Sequence, residues 1–179
     1  MFLNLFLPRL WLDDNTINNY FSMLGKKYSN KNIKCISTFF CELYTRHNNK
    51  NAKTMIKDCK DKSLIFIPYF KNHHWFLIVI DCLKKEISSY DSLMSVFKEK
   101  QHIYILNQIK NFFSKTNEMF SNYQIKIQQD IKQQQNGNDC GVFVCWYAKM
   151  ILEENSIIYK RQYIDLCNFR KEIKNPIIF

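Results

Sequence analysis

Hydrophobic positions recur at intervals of three and four in the first part of the chain and crowd into short runs in its middle. In residues 15–24 (NTINNYFSML), Ile17, Tyr20, Phe21 and Leu24 share one helical face, with Asp14 or Asn15 as the N-cap. Residues 37–46 read as a second helix capped by Ser37 or Thr38, and residues 50–59 as a third, more polar one. The runs at 63–69 (SLIFIPY) and 75–82 (WFLIVIDC) are rich in Ile, Val and Phe and predict buried strands. A third strand, 86–90 (EISSY), follows the turn-like Lys84-Lys85. Residues 97–117 return to helical spacing, with Ile103, Leu106, Ile109, Phe112 and Phe113 on one face, and 124–129 (QIKIQQ) alternate as a last strand. From Val142 to Leu152 nearly every position is apolar, which suits a helix buried on most sides. Helices, strands, helix, strand, helix is an α+β order. No repeat or linker divides it, so residues 1–179 read as one domain with residues 1–10 as a short lead-in.

Composition supports a folded chain and removes several function classes. A 46 % hydrophobic and 16 % aromatic content excludes a disordered protein. At 179 residues, one core should bury roughly 70 % of the unfolded surface. The net charge of +10 favours acidic partners. Its positives are spread along the chain (Lys26-Lys27, Lys84-Lys85, Lys98 to Lys100), which argues against nucleic acid as the main ligand. Seven cysteines without a single CxxC point to free thiols in a reducing compartment, with no metal and no cofactor. Cys41, Cys82 and Cys145 lie in apolar runs, where the thiol behaves as a small hydrophobe. The apolar start MFLNLFLPRL lacks a basic n-region and a small-residue cleavage site, and no apolar run spans a membrane. An intracellular monomer in nucleus or cytoplasm is the expectation, either a stripped-down catalytic core or a fragment of a longer chain.

One cysteine stands apart. Cys140 follows the polar loop QQQNGND and starts the buried helix, where unpaired N–H groups and the helix dipole favour a thiolate. Two of the three glycines, Gly137 and Gly141, flank it and permit tight turning and close approach of a substrate backbone. A thiol nucleophile needs a base and a group to orient it. Among the four histidines, His47 sits between polar residues and His102 follows KEKQ, so both read as solvated. His73 or His74, just before the strand from Trp75, is the candidate base. Asp91 ends the next strand and can lie beside it. Asp81, at the far end of the histidine's own strand, would be more than about 20 Å away at about 3.3 Å per residue.

Trp11-Leu12-Asp13-Asp14 with Ile17, Ser37-Thr38-Phe39-Phe40, His74-Trp75 running to Asp81, Tyr90-Asp91-Ser92, and Gln134-Gln135-Asn136-Gly137-Asn138-Asp139-Cys140-Gly141 together resemble the Ulp1/SENP cysteine proteases, peptidase family C48. The matches run in order from residue 11 to about 170. The resemblance implies a papain-like, adenain-type fold, with a central mixed sheet and the nucleophile at the N-terminus of a buried helix. It implies a triad of Cys140, His74 and Asp91, with His74 chosen over His73 because the family histidine directly precedes the tryptophan. Gln134 becomes the oxyanion donor. Trp11 and Trp75 would roof a channel for a diglycine tail, Gly141 would leave room for that tail, and Asp14 would pair with an arginine on the modifier. Trp146 reads as core.

The implied activity is maturation of SUMO, or its removal from target lysines, by cleavage after the C-terminal Gly-Gly. A protease for NEDD8 or another ubiquitin-like protein is the alternative from the same family. A non-catalytic modifier-binding module would have no use for three catalytic groups, and an acyltransferase should show a basic cofactor site. The chain departs from the family at Asp13, usually Asn, and at Lys132, usually Pro. Asp13 changes charge near the modifier-binding face, and Lys132 is expected to loosen the loop before Gln134.

Overall fold

A computed structural model describes residues 10–45, 50–94, 99–153 and 164–175. The lead-in before Leu10, His47 and the outer ends of two predicted helices (residue 46 and residues 97–98) lie outside the described residues. Among the described residues, six helices, α1 (Asp14–Lys27), α2 (Phe40–Thr45), α3 (Lys50–Met55), α4 (Glu99–Ser114), α5 (Cys140–Leu152) and α6 (Leu166–Lys174), surround one sheet. Its strands β1 (Ile33–Cys35), β2 (Leu64–Lys71), β3 (His74–Asp81), β4 (Glu86–Tyr90) and β5 (Gln124–Gln128) lie in sequence order. The two outer pairs, β1–β2 and β4–β5, are parallel, and the two inner pairs are antiparallel, so the sheet is mixed within an α+β fold.

Alternation along the strands sorts side chains into two cores. Phe66, Trp75, Leu77 and Val79 face α1, α5 and α6. Ile65, Ile67, Tyr69, Phe76, Ile78 and Ile80 face α2, α3 and α4. Helices on both faces explain why β2 and β3 read as continuous apolar runs, since neither side meets water. Every residue of α5 except Lys149 and Ile151 is buried. By contrast, α4 buries one stripe, His102, Ile105, Leu106, Ile109, Phe112 and Phe113.

That stripe corrects two expectations. Ile103 is 40 % exposed and Ile105 buried, so the face is rotated from the predicted one, and His102 is fully buried rather than solvated. The cap of α1 also differs. Asp13 is the N-cap, its carboxylate accepting from the Thr16 amide at 2.7 Å, and Asp14 is the first helical residue. Asn18 holds Thr38 through its backbone amide and its hydroxyl, both at 2.9 Å, while the Phe39 amide reaches the Ser37 hydroxyl at 3.4 Å. The sequence reading did not include β1 or α6.

The β2–β3 connection has direct consequences for the site. Lys71 pairs with His74 across the hairpin, leaving Asn72 and His73 as a two-residue loop. Both have positive φ, 51° and 59°, the requirement of a tight hairpin turn whose twist matches the strands. The turn places His74 on the first rigid residue of β3. Among the described residues no helix is long and apolar enough to cross a membrane.

Candidate active site

His74, Asp91 and Cys140 meet where β3 begins, β4 ends and α5 begins. His74 Nε2 lies 2.6 Å from Asp91 Oδ1, with the two side chains 5 % and 0 % exposed. Asp91 Oδ1 also accepts from the Leu93 amide at 2.8 Å. An ionised carboxylate only accepts, so Nε2 of His74 carries its hydrogen and Nδ1 is left for Cys140. Burial pushes the His74 imidazole down, but hydrogen bonds to Asp91 and Cys140 and their negative charge outweigh it and hold it up at about 9. For Asp91, burial pushes up. Hydrogen bonds from His102 and His74, the charge on His74 and the Leu93 amide overcome that and bring it to about 2. The pair is therefore an ion pair through the neutral range. Asp81 is engaged elsewhere, capping the Leu83 and Lys84 amides at 3.1 and 2.9 Å.

The loop before Cys140 is built on side chains. Asn136 Oδ1 accepts from the amides of Asn138 and Asp139 at 2.9 and 3.1 Å, and its Nδ2 donates to Asp139 Oδ2 at 2.6 Å. Asp139 is the N-cap residue of α5, yet its side chain caps nothing in the helix. It is taken instead by Arg170 of α6, which donates through Nε at 2.9 Å and through Nη2 to the same oxygen. Arg170 also donates to the carbonyls of Leu10 at 2.8 Å and Asn138 at 3.2 Å. One buried guanidinium thus ties the N-terminal segment, the loop before Cys140 and α6 together.

Gln134 is buried and doubly held. Its Oε1 accepts from the Ser92 hydroxyl at 2.6 Å, its amide nitrogen donates to the Asn136 carbonyl, and its backbone N–H reaches the Ser92 carbonyl at 2.9 Å. Neighbouring Gln133 donates to the Asp91 carbonyl at 3.0 Å. The segment 91–94 is therefore zipped to the loop that carries Gln134, which fixes the amide relative to Asp91. The Lys132 carbonyl accepts from the Tyr147 hydroxyl at 2.6 Å, so the approach to Gln134 is anchored to α5 rather than loosened.

Trp75 is 3 % exposed and Trp11 is 49 % exposed. Ring contacts join them in a row, from Trp11 to His73 (6.3 Å between centroids), His73 to Phe70 (6.5 Å) and Phe70 to Trp75 (4.7 Å). Beside this row, Asp14, Thr38, Phe39, Phe70 and Lys71 line a groove of about 440 Å³. Phe39 and Phe70 stand 48 % and 41 % exposed, an apolar pair on the wall of this groove. Trp146 is core, as expected.

The glycines need correction. A Cβ at Gly141 would lie 3.0 Å from Leu12 Cβ and 3.3 Å from Ile17 Cδ1, so the space is filled by α1's lead-in and not by a substrate tail. A Cβ at Gly137 would meet nothing within 4 Å and its φ is not positive, so neither crowding nor a left-handed backbone calls for glycine there. Sequence reasoning also missed Arg170, Ser92 and His102. His102 left a signal, since it falls four residues before Leu106 and seven before Ile109 on the apolar stripe. Arg170 left none pointing to Asp139, 31 residues away. Cys41 and Cys145 are buried, with burial pushing Cys41 up to about 12 and Cys145 up as well, which fits inert core thiols. Cys82 is only half-buried.

The family description "Ulp1 protease family, C-terminal catalytic domain" matches residues 10–177. Sentrin-specific protease 2 of Rattus norvegicus is 31 % identical over 175 residues, covering 91 % of this chain and 29 % of that protein. Sentrin-specific protease 5 of Homo sapiens is 31 % identical over 173 residues, covering 89 % of this chain and 23 % of its own length. The chain therefore spans less than a third of these curated relatives. The C-terminal Ulp1 protease domain solved in complex with Smt3, the yeast ortholog of SUMO, has a TM-score of 0.75 at 24 % identity. It covers 92 % of this chain and 75 % of that one, a likeness of fold. With the catalytic-domain match running almost from end to end, the chain belongs to the Ulp1 protease family.

Proposed function

We propose that the chain is a thiol protease and isopeptidase that cleaves after the C-terminal Gly-Gly of SUMO. The observation that carries the reading is the buried His74–Asp91 pair at 2.6 Å, coupled to Cys140 at the first residue of α5. The names of the relatives and the Smt3 complex of the structural neighbour supply the substrate class. SUMO and SUMO-conjugated proteins are the partners in this reading, and NEDD8 is the disfavoured alternative.

The Cys140 sulfur attacks the terminal glycine carbonyl. The oxyanion is held by the Cys140 amide and by Gln134, whose amide turns from the Asn136 carbonyl toward it. His74, an imidazolium through the neutral range, gives its proton from Nδ1 to the leaving amine. The amine departs and a thioester remains. Water then loses a proton to His74, adds to the thioester and expels the thiolate, and the modifier's new carboxyl group gives its remaining proton to the departed amine or to solvent. Trp11, Phe39 and Phe70 form the apolar docking face, and Asp14 is available there for a cation on the modifier. Nothing in this scheme calls for a metal or a cofactor. A reaction site within the cell, nucleus or cytoplasm, accords with this substrate.

The test offers electrophilic SUMO, NEDD8 and ubiquitin probes side by side, with Cys140→Ser on a SUMO fusion. SUMO labelling and a dead Cys140→Ser variant are expected. Labelling by NEDD8 alone would transfer the assignment, and cleavage retained by Cys140→Ser would remove the triad.

A further inference from the structure

We infer that His102 is a positioning residue of the reaction, a second histidine that fixes the carboxylate of Asp91 from the opposite face of the sheet. The inference rests on the triad reading above and adds a fourth member to it. His102 Nε2 lies 3.1 Å from Asp91 Oδ2, and both side chains are 0 % exposed. Asp91 thus has one imidazole on each oxygen, with Oδ1 bonded by His74 and the Leu93 amide and Oδ2 by His102. The edge of Phe76 packs against the His102 ring at 5.0 Å and 75°, which limits its rotation.

Geometry gives His102 a specific task. A buried carboxylate bonded at one oxygen only can swing that oxygen away from its partner. A donor on the other oxygen fixes the carboxylate plane and keeps Oδ1 aimed at His74. Because the carboxylate only accepts, His102 must present an Nε2–H, and it does so from the buried stripe of α4. His102 touches neither Cys140 nor the scissile bond in this arrangement. Its effect passes through Asp91.

The test compares His102→Phe, which keeps an aromatic ring and deletes the donor, with His102→Gln, whose amide nitrogen can take the place of Nε2. Both are measured on SUMO-fusion cleavage and normalised to the fraction that unfolds cooperatively. His102→Phe should lower kcat about 10- to 100-fold, the scale of one hydrogen bond to a charged group, with KM within about twofold. His102→Gln should recover to within about threefold of wild type. In an Asp91→Asn background His102→Phe should cost less than about a further twofold, because the group it orients is already disabled. His102→Leu carries the same expectation should the Phe ring not be accommodated.

Equal losses in both backgrounds, no rescue by Gln, or a loss that disappears once activity is normalised to the folded fraction would overturn the positioning role. Iodoacetamide alkylation of Cys140 separates this failure from that of the substrate assignment. If SUMO is not cleaved, slower alkylation in His102→Phe restored in His102→Gln still upholds the role, and equal rates in all three still overturn it.

Discussion

Helices α5 and α4 lie on opposite faces of one sheet, and each sends one side chain to the same buried pocket, yet they do it differently. Helix α5 is buried almost all round and delivers Cys140 from its first residue. Helix α4 buries one stripe and delivers His102 from its fourth. A thiol that is to meet a substrate, the role proposed for Cys140, needs access, and Cys140 sits at a helix N-terminus whose N–H groups are unsatisfied and which a polar loop precedes. A supporting group needs no access and can be placed inside a regular turn. What holds the two ends also differs. The Cys140 end is fixed by a charged pair, Arg170 with Asp139, whereas the His102 end is fixed by apolar packing around one hydrogen bond.

Arg170→Met tests that difference with the largest expected effect. Asp139 is 2 % exposed and would be left as a buried carboxylate with only the Asn136 amide and its neighbours to satisfy it. Breaking a buried pair from one side costs about 3–5 kcal/mol. Chemical denaturation should show a loss of this size, together with failure of the loop to present Cys140. If the comparison holds, His102→Phe should instead lower kcat by more than its stability loss accounts for. A loss below about 1 kcal/mol for Arg170→Met would mean that Asp139 is stabilised by its loop alone.

The two sides share His74, and pH can probe that shared group. Its imidazole is raised from 6.5 to about 9, so its pairing contributes stability in full below about 6.5, lost as pH rises through 9. Asp91 is lowered from 3.8 to about 2, so its contribution is present above 3.8 and lost as pH falls toward 2. Stability from this pair should therefore plateau between about 4 and 6.5, and kcat/KM should fall on a basic limb near 9. Asp91→Asn should move that limb to lower pH, since burial, the opposing influence, remains. A limb unmoved by Asp91→Asn would leave Cys140 as the main support of the His74 charge.

Much of this was legible in the sequence for reasons the two helices make plain. The period change at residue 63 marks β2 and β3, and the unbroken apolar run from Val142 marks α5, because burial on both faces erases alternation. His74, Asp91 and Cys140 stand at element ends, where local chemistry differs from the neighbouring pattern. His102 was misread because its neighbours before it, Lys98 to Gln101, are polar. The stripe it belongs to runs forward through Ile105, Leu106 and Ile109. Arg170 and the short β1 depend on partners distant in sequence and no local pattern carries them, while Ser92 stands in the Tyr90-Asp91-Ser92 motif without any sign of its bond to Gln134. Gly141 was assigned to the substrate because the motif surrounds the nucleophile, while its neighbour in space is Leu12.

That reassignment yields the smallest effect and the sharpest contrast. Gly141→Ala places a methyl 3.0 Å from Leu12 Cβ, an atom fixed to the backbone, and 3.3 Å from the more yielding Ile17 Cδ1. Overpacking at such a contact costs about 1–3 kcal/mol. The strain falls on residues 11–13, so the variant should displace Trp11 from its place beside His73 while the His74–Asp91–His102 network, built from the other face, stays intact. Expected is a rise in KM for a SUMO fusion with kcat nearly unchanged, the mirror image of His102→Phe. Leu12→Gly in the same chain, which removes that Cβ, should restore KM by making room for the methyl. If Gly141→Ala lowers kcat instead and Leu12→Gly gives no relief, the glycine faces the reacting tail after all, and the two ends of the site are not separable in the way their packing indicates.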